Sequence, residues 1–252
     1  MFGQLAQEID WVFKTQGHTE AINRLLYLVE KGEVFSLLEG GSGTGKSTVL
    51  RRTAEELAST GRRPLRQNVA SLDCRATLWH LCGSLSIFCR SGADPSELMM
   101  MVRDELLARA GCRYQTVVML DDVDFAQENI GSVLHLLTSI AEASDGQISV
   151  IAAAERPLTF SLRKGTALRV RLEPLPELEA VEFALRRLAH LNCPVEQITD
   201  TGWQAITDLA CGLPAQLLRI CQILHVVTSM EAGPIDKALV QNAARELLPR
   251  AA

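Results

Sequence analysis

The chain has 252 residues, 47% of them hydrophobic and 5% aromatic, and a formal net charge of -5. That is enough apolar material for one large domain, or a large and a small one, each with a packed core, and the scarcity of aromatics beside abundant Ala and Leu favours helices on a sheet over an all-β sandwich. The acidic balance argues against indiscriminate nucleic-acid binding by the whole surface, and the seven cysteines, at 74, 82, 89, 112, 193, 211 and 221, contain no C-x-x-C pair and so indicate neither a zinc site nor a disulfide framework.

The N-terminus, MFGQLAQEIDW, lacks a basic region followed by an apolar one, and no run reaches the roughly 18 apolar residues that span a bilayer. A soluble, cytoplasmic chain without direct membrane insertion is expected. A helical pattern from Thr19 to Glu30 comes first, then a short apolar run, Val34 to Leu38, that ends in glycines. Helix formers follow from Lys46 to Ser59. Strand-like runs return at Leu65–Val69, Val117–Leu120, Ile148–Ala153 and Leu168–Leu172, and helical stretches at Glu97–Ala110 and Ile130–Ala143 separate them. This alternation predicts a parallel sheet with helices on both faces. Beyond Pro174 and Pro176 the strands stop, and Glu177–Leu191, Thr201–Cys211, Pro214–Met230 and Pro234–Leu248 all read as helices. The composition therefore divides the chain into 1–174, a sheet domain, and 175–252, a helical one.

Residues 40–47, GGSGTGKS, match G-x-x-x-x-G-K-S/T between a predicted strand and a predicted helix, the context in which this loop holds phosphate. Gly40, Gly41, Ser42, Gly43, Thr44, Gly45, Lys46, Ser47 and Thr48 are the expected nucleotide contacts, because glycines let successive N–H groups turn inward and the helix N-terminus adds to the field. Lys46 is expected to reach the β- and γ-phosphates, and the Ser47 hydroxyl to bind Mg²⁺. The run Val117–Leu120 delivers Asp121 at a carboxyl end of the sheet, where a carboxylate can hold the metal through its water shell. Asp122 then falls where an attacking water is polarised. Its side chain is one methylene shorter than Glu, about 1 Å short of ideal, a displacement that can cost on the order of a hundredfold in rate. Slow hydrolysis follows. Asp124 reads as solvated, or as a cap of the helix-like segment after it. Arg51, Arg52, Arg62, Arg63 and Arg66 make a local basic cluster, either a patch for nucleic acid or a solvated face.

A P-loop sheet domain followed by an all-helical lid resembles the AAA+ class. HTEAINRLLYLVEKGEVFSLLEGGSGTGKST (18–48), VIAAAERPL (150–158) and ALRVRLEPLPELEAVEFALRRL (167–188) more narrowly resemble the ExeA-like ATPases of general secretion and pilus assembly. The chain is similar, less closely, to transposition-regulator ATPases that bind DNA. Two departures from this pattern bear on the site. The polar residue expected at the end of the fourth strand gives way to Ala153 and Ala154, with Glu155 next, and the lid motif Gly-x-Pro-Arg becomes Gly212-Leu213-Pro214-Ala215. The resemblance makes Arg219, one helical turn beyond Ala215, a candidate substitute, beside the plainer reading of a surface arginine. It also implies an arginine finger reaching a neighbour's nucleotide, with Arg163, Arg169 and Arg171 as candidates. The expected function is an ATP- and Mg²⁺-binding, slow ATPase that self-associates on ATP binding and works with another protein subunit. A DNA-associated regulator and a scaffold with little turnover are the alternatives. The family's secretion members often add a membrane helix and a wall-binding module, neither of which follows before Ala252, so docking is expected to fall to another subunit.

Overall fold

The computed structural model describes residues 13, 15–127, 130–156, 168–230 and 233–247, with the side chains of 246 and 247 excepted. Five runs form one parallel sheet: β1 (Phe35–Gly40), β2 (Arg63–Asn68), β3 (Thr116–Asp121), β4 (Ile148–Ala154) and β5 (Leu168–Leu172), in the order β2-β3-β4-β1-β5. The two inner strands with the most continuous apolar runs, β3 and β4, are buried at every residue, as a strand covered on both faces must be. The edge strands are less covered: β2 has no fully buried residue, and β5 buries only Val170 and Leu172. Helices α1 (Gln16–Glu30) and α2 (Lys46–Ser59) cover one face of the sheet. There Leu25, Val49 and Leu50 pack on Leu38, Met119, Ile151 and Val170. On the other face α3 (Cys74–Ser84), α4 (Pro95–Gly111) and α5 (Ile130–Ala143) bury Leu78, Leu81, Leu98, Val102 and Leu137 against Leu37, Val118, Leu120 and Val150.

The chain divides into two compact units, Glu20–Leu172 and a second one formed by Glu173–Ala252 with Met1–Thr19. The second unit is helical: α6 (Glu177–His190), α7 (Asp200–Ala210), α8 (Pro214–Met230) and α9 (Lys237–Leu247) enclose Phe183, Leu188, Ile206, Leu217, Ile220, Leu224 and Val240. Phe13 joins this unit, edge-on to Phe183 with ring centroids 5.4 Å apart, and the Gln16 N–H donates to Glu179 at 2.6 Å.

Two elements differ from the sequence expectations. Helix α3 lies in a stretch with no strong amphipathic period, and Asp73 starts it by accepting the Ala76 N–H. The last helix begins at Lys237 rather than Pro234, because Ile235 is drawn into an isolated parallel bridge with Ile198 and donates to the Gln197 carbonyl.

Candidate functional site

The strand order brings the carboxyl ends of β3, β4 and β1 side by side, with β4 in the middle. From β1 the chain enters the loop Gly40–Ser47, where Gly43 (φ 79°) and Gly45 (φ 100°) take the left-handed backbone that turns the loop around its own N–H groups. A side chain at Gly40 is excluded as well: its Cβ would come within 2.8 Å of the Thr44 hydroxyl. That hydroxyl donates to the Gly41 carbonyl at 2.8 Å and closes the loop. Lys46, only 7% exposed, lies over the loop and donates from Nζ to the carbonyls of Gly40 (2.8 Å) and Gly41 (3.2 Å). The ammonium is thus held at the mouth of the N–H cradle, at the start of α2, where an anion would meet both.

From β3 comes Asp121, 3% exposed, with Oδ1 left without a hydrogen-bond partner. Burial pushes its carboxyl pKa up. The Ser47 hydroxyl, within bonding reach, pulls it down, the Asp122 charge adds to the rise, and the Arg66 guanidinium opposes it. A bare buried carboxylate oxygen beside a hydroxyl is a hard oxygen donor set of the kind Mg²⁺ takes, so the residues present fit that ion.

Asp122 sits in the left-handed region (φ 57°, ψ 44°), which Asp tolerates better than most residues. Its Oδ2 accepts from Asn68 Nδ2 at 2.8 Å, and Asn68 Oδ1 in turn accepts the Ala70 N–H, so the carboxylate is tethered to the end of β2. Asn68 was not singled out in the sequence; the pairing of Asn68 with Asp121 across β2 and β3 is what places it there. Asp124 does not cap the following helix, which starts at Ile130. It accepts the N–H groups of Glu155 and Arg156, each at 3.1 Å. Ala153 and Ala154 are fully buried, and Glu155 is the first polar side chain past β4.

Among the described residues, the remaining expected contributors fall on β5 and in the helical unit. Arg169 on β5 is 3.5 Å from Glu39, the residue that leads into the loop, and Arg171 lies two residues on along the same strand. Arg163 lies outside the described residues. Ala215 and Arg219 are both exposed, one turn apart on α8 in the helical unit. The arginine cluster is largely engaged within the chain. Arg51 and Arg52 both pair with Glu55 at 2.8 Å, Arg63 stacks 4.7 Å over the Tyr114 ring, and Arg62 donates to Thr60 at 3.0 Å. Among the described residues no group of three or more His, Cys, Asp or Glu side chains could hold a metal, and no helix is long and apolar enough to cross a membrane.

The AAA domain family model matches residues 29–160, just over half of the chain and the whole of the loop and the Asp121–Asp124 turn. General secretion pathway protein A of Aeromonas hydrophila is 26% identical over 84% of this chain, which spans only 40% of the length of that protein. Among solved structures, the fold is similar to Cdc6p of Pyrobaculum aerophilum (TM-score 0.72, 17% identity, 96% of this chain and 70% of that one) and to the Drosophila ORC bound to DNA (TM-score 0.71, 19% identity, 98% and 66%). It is also similar to the Holliday junction branch migration motor RuvB of Thermotoga maritima (TM-score 0.58, 15% identity, 93% and 70%).

Proposed function

We propose that this chain, which belongs to the AAA domain family, is an ATPase of low turnover whose nucleotide state governs its association with itself and with another protein subunit. The observation that carries this reading is the pairing of the Gly40–Ser47 loop with the buried, half-unpartnered Asp121 carboxylate beside the Ser47 hydroxyl. The N–H groups of Gly41 to Lys46 bind the phosphates, and the Lys46 ammonium exchanges loop carbonyls for phosphate oxygens. Asp121 and Ser47 hold Mg²⁺, which when bound supplies charge neutralisation on the phosphates. Asp122 accepts the proton of the attacking water, and Glu155, the first polar side chain past β4, serves as the polar group that orients that water or senses the γ-phosphate. The short Asp122 side chain, its tether to Asn68 and the alanine at 215 all support slow hydrolysis.

Kinship with General secretion pathway protein A supports a partner in a secretion apparatus. The likeness to the Drosophila ORC bound to DNA supports a second reading, a DNA-associated regulator. Against it stand the net charge of -5 and the engagement of Arg51, Arg52 and Arg63 within the chain.

Titration calorimetry with Mg²⁺ and ATP tests the central claim. Wild-type protein is expected to bind, and Lys46→Ala to lose binding while keeping its fold, because the lysine contacts loop carbonyls rather than the apolar core. Equal affinity in the two proteins refutes the phosphate site. A parallel titration with duplex DNA separates the two readings.

A further inference from the structure

We propose that Asp124 is a positioning residue for hydrolysis: its carboxylate ties the carboxyl end of β4, and with it Glu155, to the turn that carries Asp121 and Asp122. The inference rests on the reading of Glu155 above as the polar group that orients the water or senses the γ-phosphate. Oδ1 accepts the Glu155 N–H and Oδ2 accepts the Arg156 N–H, so both oxygens of one carboxylate are used on two successive amides. Those amides lie beyond the sheet ladder. The pairing of β4 ends at Leu120↔Ala152 on the β3 side and at Glu39↔Ala154 on the β1 side. Without Asp124 the segment that carries Glu155 has no strand to hold it, and charge-assisted bonds of this kind are about twice as strong as neutral ones.

The other end of the tether is fixed. Asp124 sits in a one-turn 3-10 helix, Val123–Phe125, three residues past Asp121. That turn is held from outside: the Ser71 N–H donates to the Phe125 carbonyl at 2.9 Å, and the Gln127 N–H donates to the Leu72 carbonyl at 3.0 Å. Arg156 adds a second link, its guanidinium 5.9 Å from the Phe125 ring. A solvated aspartate would leave its oxygens to water, and a helix cap would bond to the first turn of α5, which begins six residues later. Asp124 does neither. It makes the spacing between the Asp121–Asp122 pair and Glu155 a property of one side chain, and a reacting group misplaced by about 1 Å can lose on the order of a hundredfold in rate.

The test compares Asp124→Ala, Asp124→Asn, Glu155→Gln and the Asp124→Ala/Glu155→Gln pair by ATP affinity, kcat, KM and thermal midpoint. Asp124→Ala is expected to keep ATP affinity within about threefold while kcat falls by about 10- to 100-fold. Asp124→Asn, which retains one acceptor oxygen, recovers part of that loss, and it carries the test if the alanine variant does not fold. The double variant should be no slower than Glu155→Gln alone, because a contribution that passes through Glu155 can be lost only once. Wild-type kcat in Asp124→Ala, or losses that multiply in the double variant, overturns the proposal and leaves the role of Glu155 standing. If Glu155→Gln itself turns over like wild type, the role of Glu155 fails and the positioning proposal falls with it.

Discussion

A carboxylate that is buried with one bare oxygen costs the empty fold stability, and Asp121 is in that position. Since burial raises its pKa, the folded state holds the proton to a higher pH than the unfolded chain does. The stability allowed by the protonated form is present below the ordinary carboxylate range and is lost as pH rises through the raised value. Asp121→Asn removes this penalty at neutral pH. Thermal melting should show the nucleotide-free variant more stable than wild type by about 1 kcal/mol at pH 7, with the two curves converging in acid. The variant should also lose most of the stabilisation that Mg²⁺ and ATP give the wild type, which grows as RT ln(1 + [L]/Kd). A variant stabilised by Mg²⁺ and ATP as strongly as wild type would remove Asp121 from the metal site. Asp122 carries a different tension. Its left-handed backbone suits Asp, whereas the reach towards a water suits Glu. Asp122→Glu should therefore raise kcat by about tenfold while lowering stability by roughly 1 kcal/mol, the usual cost of that backbone region for a longer side chain. A rate that falls or stays level in phosphate-release assays would show that another group positions the water, with Glu155 the first to examine.

At the scale of elements, the joint between α7 and α8 depends on a single glycine. Cys211 and Gly212 both have positive φ, and the Gly212 carbonyl accepts the Leu175 N–H at 2.8 Å. A Cβ at Gly212 would meet the Leu175 carbonyl oxygen at 2.4 Å, a backbone atom that cannot swing aside. Gly212→Ala should cost more than about 2 kcal/mol, read as a lower denaturation midpoint; an unchanged midpoint would mean that the joint relaxes freely. The same contrast explains what the sequence disclosed. The phosphate loop was legible because its chemistry lies within eight consecutive residues, and the inner strands because burial on both faces demands unbroken apolar runs. Helix α3 was not: its buried residues, Thr77, Leu78, Leu81 and Cys82, have helical spacing, but that face includes a polar Thr while the apolar Trp79 lies off it, so the apolar residues alone show little period. The bonds of Asn68 to Asp122 and of Asp124 to Glu155 and Arg156 join residues 54 and 31 or 32 positions apart, and only the strand order brings them together.

For the whole molecule, the expectation is that ATP, and not ADP, drives self-association. In an open parallel sheet the nucleotide sits at the carboxyl ends of the strands. Here the edge strand β5 carries Arg169 and Arg171 next to β1, from which the phosphate loop springs. A neighbour's arginine that reads the γ-phosphate gains more from ATP than from ADP, because the added charge strengthens the contact. Within one chain Arg169 already lies 3.5 Å from Glu39 Oε1, but the arginine is largely exposed and that buried oxygen takes no hydrogen bond from it, so the pair is weak enough to open when a better anion is offered. With alanine at 215, discrimination between the nucleotides rests more heavily on such a contact. Light scattering after size exclusion, with no nucleotide, ADP, ATP and a slowly hydrolysed analogue, should show a larger mass only with the last two. Replacing Arg163, Arg169 and Arg171 singly with Ala should then identify one variant that keeps ATP affinity within about threefold but loses the ATP-dependent mass, since linkage requires only that the coupling be lost. A monomer under every nucleotide condition, at tens of micromolar protein, would instead assign this chain to a switch that acts on a different subunit.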